Sequence, residues 1–476
     1  IDVKRIRKLK NLKNEGGIVM KKRFVSLIMA CTMVVSLAAC GGNSGGNTNP
    51  TTTPAPSQQT TTKAPDTTPA PDNKGGSGDA VTLKWAIWDQ DTTPYWVALK
   101  DGYEATHNNV TIELVDLGST DYMTVLATQL SGSTSAFDVV SVKDVPGYAT
   151  LVQKNTIEPL DSYIKADNID LSLYGGATDQ ITVNGSLYQL PFRNDFWVLF
   201  YNKDLFDAKN LAYPTNDMTF EEYDTLARQV ASADFGSQVY GTHYHTWRSA
   251  VQLFGVLDGK NNILSGKYDF FKPYYELVLS QEADGICRKY TDLKTESLHY
   301  SAAFAGGDVA MMNMGSWYIS TLISKLQSGE YAKEDCGNWG MAKYPHAAGV
   351  EAGSTLGTIT GIAITTGATN KDAAWDFVSF VSGTEGAQIM AQTGNFPAIM
   401  TDEAMNLIAG LEGFPADEQS KEALKVSNLY LEVPYHESVS EINSILDTYH
   451  ASIMSGEMTI DAGIAAMNEE IGKILK

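Results

Sequence analysis

From residue 81 onward the hydrophobic positions follow two alternating periods. Val81, Leu83, Trp85 and Ile87 alternate with Thr82, Lys84 and Ala86, which predicts a strand with one apolar face. Residues 95–107 carry a helical period, 110–117 read as a second strand, 122–130 as a helix and 137–142 as a buried strand. Strands and helices taken in turn predict a parallel α/β sheet. Ligands on such sheets sit beyond the carboxyl ends of the strands. The residues to examine are therefore Trp88-Asp89, then 119–121, then Lys143-Asp144.

A second α/β pattern follows Leu190-Pro191. Residues 196–201 read as a strand, and Thr219-Phe220-Glu221-Glu222 is a capping box opening a helix to about Ala231. A helix over 316–328, a strand over 339–342, a Gly-rich β-branched stretch over 353–366 and a helix over 371–381 come next. Residues 437–476 read as two helices broken at Ser455-Gly456. No internal repeat is visible.

Upstream of residue 80 the pattern is different. The first 39 residues hold nine Lys/Arg and two acids. Lys21-Lys22-Arg23, an apolar run over 24–37 and Ala38-Ala39-Cys40 have the order of a secretory signal. The apolar run is short for a permanent membrane span. Leu37-Ala38-Ala39-Cys40 resembles the lipobox of bacterial lipoproteins, which implies cleavage before Cys40 and a diacylglyceryl group on its thiol. Residues 1–19 begin with Ile1, and the codons for Glu15-Gly16-Gly17 can spell a ribosome-binding site ahead of Met20. The expectation is that 1–19 is translated leader and that the protein starts at Met20. Between 41 and 79 the only apolar side chains are three alanines, and six of the chain's 16 prolines fall there. Such a segment cannot offset its chain entropy by burial and reads as a tether. Its reach is on the order of 120 Å if stiff and roughly 35 Å as a coil.

Composition narrows the function. The chain has 476 residues, 43% hydrophobic, with 35 Lys+Arg against 56 Asp+Glu. It is long enough for two lobes. A net charge of −21 argues against a nucleic-acid partner, which needs a basic face. Four cysteines cannot form a disulfide framework, so packing must hold the fold.

Several blocks together resemble the extracellular solute-binding proteins of sugar ABC transporters, the family 1, maltose-binding-protein-like group. The first is Tyr188-Gln189-Leu190-Pro191 leading into Leu199-Phe200-Tyr201-Asn202-Lys203-Asp204-Leu205-Phe206. The second is Phe304-Ala305-Gly306-Gly307-Asp308-Val309-Ala310-Met311-Met312 closing on Gly315-Ser316-Trp317. Gly361-Ile362-Ala363-Ile364, Ala373-Ala374-Trp375-Asp376-Phe377 and Asn395-Phe396-Pro397 follow in the family's order. The resemblance implies a type II periplasmic-binding-protein-like fold, two α/β lobes joined by a hinge of crossing strands. By that analogy the chain crosses near 191–195, 353–361 and 396–399. Lobe 1 is then 80–193 plus 357–397, and lobe 2 is 194–356 plus 398–476. It also implies closure over a ligand and docking on a membrane permease.

A sugar has flat C–H faces that suit aromatic rings and a hydroxyl rim that suits Asp, Asn and Arg. Trp317 falls where the resembled family stacks a tryptophan on sugar. Trp88 breaks the alternation of its strand, and Asp89 follows it. Asp144 and Tyr148 follow the third strand, with a helix N-cap as the alternative role for Asp144 and for Asp121. Arg193 and Asp195 are both ligand candidates at the first crossing, and Arg193 either forks two hydroxyls or pairs with Asp195. Trp247 is a stacking ring or a core residue. His243 and His245 raise metal binding, but no third ligand is placed by sequence and none is expected. Trp85, Trp339 and Trp375 read as core, and Cys287 and Cys336 as a pair or as two free thiols. No cofactor is called for, and a monomer is expected.

Two rivals stand beside sugar capture. A secreted glycosidase needs two spaced carboxylates, and no local catalytic signature selects a pair. The other rival is a binding protein for a polyamine, peptide or metal chelate; a polycation site needs several acids with few competing bases, which Asp89, Asp121, Asp144 and Asp195 leave open and Arg193 and Arg248 argue against.

Overall fold

The computed structural model describes residues 80–132 and 136–476. The expectations for the leader, the signal, Cys40 and the tether lie outside the described residues. Within them, no helix is long and apolar enough to cross a membrane.

Strands β1 (Val81–Ile87), β2 (Val110–Asp116) and β3 (Val139–Val142) pair in parallel in the order β2-β1-β3. Helices α1 (Tyr95–Glu104), α2 (Tyr122–Leu130) and α3 (Val145–Gln153) follow these strands in turn. The sheet is mixed rather than purely parallel, because β4 (Leu190–Asn202) and β7 (Ser354–Ile364) run against their neighbours. Strand β7 pairs antiparallel with β3 and with β4. The far half of β4 pairs antiparallel with β5 (Met311–Gly315) and β6 (Trp339–Lys343). A short strand not read from the sequence, β8 (Asn428–Leu431), adds parallel to the start of β7.

Two hydrophobic cores result. The first gathers Trp85, Trp96, Tyr103, Val139, Phe192, Ile362 and Phe377, all almost fully buried. The second gathers Phe200, Tyr223, Phe254, Tyr275, Met312, Tyr318 and Leu446. Strand β4 sends Leu190 and Phe192 into the first core and residues from Phe196 onward into the second. Strand β7 does the reverse, with Leu356 in the second and Ile359 and Ile362 in the first. A register shift between Pro191 and Arg193 lets β4 continue past its proline, a residue sheets otherwise confine to edges and bulges. A third pass lies against it: Asn194 N donates to Phe396 O at 3.2 Å and Ala398 N to Phe192 O at 2.9 Å. These crossing strands join two α/β lobes.

The helices of the second lobe include α4 (Phe220–Ser232), α5 (Tyr318–Ser328), α7 (Val439–Met454) and α8 (Ile460–Ile474), and α6 (Lys371–Ser382) packs in the first lobe. The capping box at Thr219 and Glu222 is complete. Trp85, Trp339 and Trp375 are buried in the cores, and Cys287 and Cys336 are both buried and free.

Candidate functional site

A cavity of about 630 Å³ lies between the lobes, lined from both. Trp88 and Asp89 reach it because β1 ends there. Asp89 takes a left-handed backbone, φ 48° and ψ 47°, which Asp tolerates better than most residues. Trp88 forms part of the wall but is only 5% exposed. Its ring meets Trp96 and Tyr122, each at 4.9 Å between centroids. The indole N–H of Trp96 donates to the Trp88 carbonyl at 2.8 Å. Trp88 is therefore a held wall, not an open stacking platform.

At the end of β3, Lys143 and Asp144 line the same side. Lys143 Nζ donates to the carbonyl and hydroxyl of Ser119 at 3.0 and 2.9 Å and lies 5.4 Å from the Trp88 ring centre. Burial lowers its pKa. Asp144 combines both roles considered for it, since it lines the cavity and its Oδ1 accepts from Gly147 N at 2.7 Å as the N-cap of α3.

Arg193 lines the cavity from β4, and Asp195 stands behind it. Arg193 Nη1 donates to the Tyr95 hydroxyl at 2.7 Å, tying the crossing strand to α1. The pairing role considered for Arg193 is present.

The second lobe supplies the aromatic side. Trp317 precedes α5, and its Nε1 donates to Tyr300 Oη at 3.1 Å. Its ring meets Trp197 edge-on at 5.8 Å and Trp247 at 6.3 Å. Trp247 is 40% exposed, an indole left open in the cavity wall beside Trp317 and Tyr300. Arg248 is pinned next to it: Nε donates to Asn443 Oδ1 at 3.1 Å and Nη1 to Gln252 Oε1 at 3.2 Å.

Three candidates sit elsewhere, and their placement at the cavity is corrected. Asp121 is exposed at the start of α2 with a left-handed backbone, and its side chain makes no cap; it does not line the cavity. Tyr148 lies one turn beyond Asp144 on α3, about 6 Å further along the axis, and is fully buried in the first core. Its hydroxyl accepts from Tyr188 N at 3.2 Å. Asp195 is 1% exposed and turned to Arg193 and Ser316 rather than to open space.

The strand-end rule points to Lys143 by position, whereas sequence reasoning passed over Trp197, Tyr300, Glu432, Asn443 and Asp447; all six line the cavity. Glu432 accepts from Trp197 Nε1 at 3.4 Å and from the Ser249 hydroxyl. Asn443 and Asp447 are four apart on α7 and so share a helix face; that polar pair was the available signal. His243 and His245 have ring centres 6.3 Å apart, and burial holds their pKa values down at about 4 and about 3. Among the described residues no three His, Cys, Asp or Glu converge as a metal site.

Comparison with known proteins agrees with this architecture. Residues 89–388 match the family described as bacterial extracellular solute-binding protein. A putative binding protein of Brucella abortus (strain 2308) is 22% identical over 342 residues, covering 69% of this chain and 78% of its own. The crystal structure of a sugar transporter from Rhizobium etli, in an open conformation, superposes with a TM-score of 0.73 at 44% identity, covering 83% of this chain and 99% of that one. An ABC substrate-binding protein of Listeria monocytogenes, in complex with cycloalternan, shares the fold with a TM-score of 0.69 at 20% identity, over 83% of this chain and 99% of its own. The two-lobed architecture, the crossing strands and the match over 89–388 make this chain a member of the bacterial extracellular solute-binding protein family.

Proposed function

We propose that this protein captures a carbohydrate in the interlobe cavity and passes it to the permease of an ABC importer. The observation that carries the reading is Trp247, an indole 40% exposed in the cavity wall beside Trp317 and Tyr300. An open aromatic face with paired polar groups around it suits the alternation of C–H faces and hydroxyls on a sugar. The 44% identical protein from Rhizobium etli is described as a sugar transporter, which supports the same ligand class.

In this reading Trp317 and Trp247 stack on the ligand, and Trp88 limits its depth. Asp89, Asp144 and Arg193 meet its hydroxyls from the first lobe and the crossing strand. Lobe 1 is 80–193 plus 357–397, lobe 2 is 194–356 plus 398–476, and the crossings act as the hinge. Only a ligand touching both lobes favours the closed state, because a shift requires unequal affinity for the two forms. The lipid on Cys40 and the tether of 41–79 hold the body outside the membrane, extracellular in a one-membrane cell and periplasmic where an outer membrane is present. The protein acts as a monomer, without cofactor, and leaves the sugar intact. Three cavity carboxylates already have structural partners: Asp144 caps α3, Glu432 accepts from Trp197 and Ser249, and Asp447 lies 3.5 Å from Arg248. That engagement favours binding over hydrolysis. Lys143, Arg193, Arg248 and Lys325 in the lining disfavour a polyamine.

A thermal-shift screen of mono- and oligosaccharides tests this reading. A captured sugar raises the melting temperature by mass action, and the sugar is recovered unchanged. Stabilisation by a polyamine or peptide alone, or recovery of cleaved sugar, overturns it.

A further inference from the structure

We propose that Gly315 is a positioning residue for ligand capture: its missing side chain is the seat on which the Trp317 indole lies. This inference rests on the carbohydrate reading of the cavity and adds the device that prepares its platform. Gly315 is the last residue of β5 and stands opposite Trp197 in the β4–β5 pairing. A methyl group built on it falls inside the van der Waals envelope of Cζ3, Cη2 and Cε3 of Trp317, three atoms of one benzo ring. The indole therefore folds back over the strand end, with the Gly315 α-carbon beneath it. The backbone of Gly315 is not in the positive-φ region, so its conformation does not demand glycine. Space does.

The surroundings fix the ring in that seat. Ser316 N donates to Phe196 O at 2.8 Å, and its hydroxyl donates to Asp195 Oδ1 at 2.9 Å. Trp317 Nε1 is held by Tyr300 Oη, and Trp197 meets the ring edge-on. With the rim held and one face resting on Gly315, the ring is presented to the cavity in a single orientation. A platform fixed before binding avoids the cost of ordering it in the complex.

A double-mutant cycle tests this on the full chain, using the best saccharide from the thermal screen as probe. Gly315→Ala is expected to weaken its Kd at least about tenfold, as Trp317→Ala does. In the Trp317→Ala background the added Gly315→Ala is expected to change Kd by less than about twofold. A Gly315→Ala protein that binds like the parent, or an equal loss in both backgrounds, overturns the proposal. If Gly315→Ala alone melts lower, the double variant should recover to the melting temperature of Trp317→Ala, a readout that needs no ligand. Failure to recover overturns the seat. A parent protein that binds no saccharide refutes the carbohydrate reading instead, and the melting comparison still decides the seat.

Discussion

Arg193 Nε lies 2.7 Å from Asp195 Oδ2, two residues further along the crossing strand β4. Residues two apart on a strand share a face, so the pair is built into the strand that joins the lobes. Its ends reach outward, from Arg193 to Tyr95 on α1 and from Asp195 to Ser316 beside the aromatic platform. Burial pushes the Asp195 carboxyl up, and the Arg193 charge and Ser316 hydroxyl pull it back. Asp195→Ala leaves a buried guanidinium without its counter-charge and should destabilise the protein by about 3–5 kcal/mol. A replacement of both by Met and Leu should cost clearly less. Denaturant melts of the single and double variants check this, and equal losses would contradict it.

Trp247 is a different case, since its ring is already half in solvent. Trp247→Ala should change stability by no more than about 0.5 kcal/mol while weakening saccharide binding roughly tenfold. Parallel thermal melts and titrations separate the two effects. A stability loss with unchanged affinity would place the ring in the core instead.

The Thr219–Glu222 capping box offers the converse. Thr219 Oγ1 accepts from Glu222 N at 3.3 Å, and Thr219 N donates to Glu222 Oε2 at 2.8 Å. Neither residue lines the cavity. Thr219→Ala should cost about 1 kcal/mol of stability and leave Kd unchanged, as measured by melts and titrations of the same preparation.

Acid should weaken the fold well above the carboxylate range. His243, His245 and His450 are buried, and burial lowers their pKa values to about 4, about 3 and about 3. The unfolded chain takes up protons near pH 6.5 while the folded chain does not, so stability falls as pH drops from 7.5 through 6.5 toward 4. Each histidine should cost about 1 kcal/mol by pH 5.5. Glu282 acts with the opposite sign, because burial raises its pKa to about 7. Its folded state gains a proton first, which adds stability as pH falls through 7. Melting temperatures between pH 7.5 and 5.5 should therefore decline, less steeply in His450→Leu and more steeply in Glu282→Gln. A flat profile in the parent would contradict the assignment.

Cys40 carries the proposed anchor. In a native host, Cys40→Ala should move the protein from the membrane fraction to the soluble fraction, and mass spectrometry of the parent should find a lipid-modified N-terminus at residue 40. An unmodified Cys40 in a membrane-free pool would contradict it.

Local pattern explains what was legible in the sequence. The alternation over 81–87 gives β1, the run 122–130 gives α2, and Ser455-Gly456 separates α7 from α8, because each depends on neighbours in the chain. The apolar pattern marks only 196–201 of strand β4, while a register shift against β7 carries the strand back through Pro191. Tyr148 follows the third strand in sequence, yet the helix turns it into the first core. Glu432 and Tyr300 had no local mark at all. Their place at the cavity comes from β8 lying on β7 and from Tyr300 meeting Trp317, which are contacts between distant parts of the chain.

The central claim is that the cavity binds a saccharide without altering it, on the Trp317 and Trp247 rings. Isothermal titration of the purified protein with the saccharide from the thermal screen, followed by recovery of that saccharide, tests it most directly. One site per chain is predicted, with intact sugar returned and binding lost in the Trp317→Ala/Trp247→Ala protein. Undiminished binding in that variant, or shortened sugar in the recovered ligand, would contradict it.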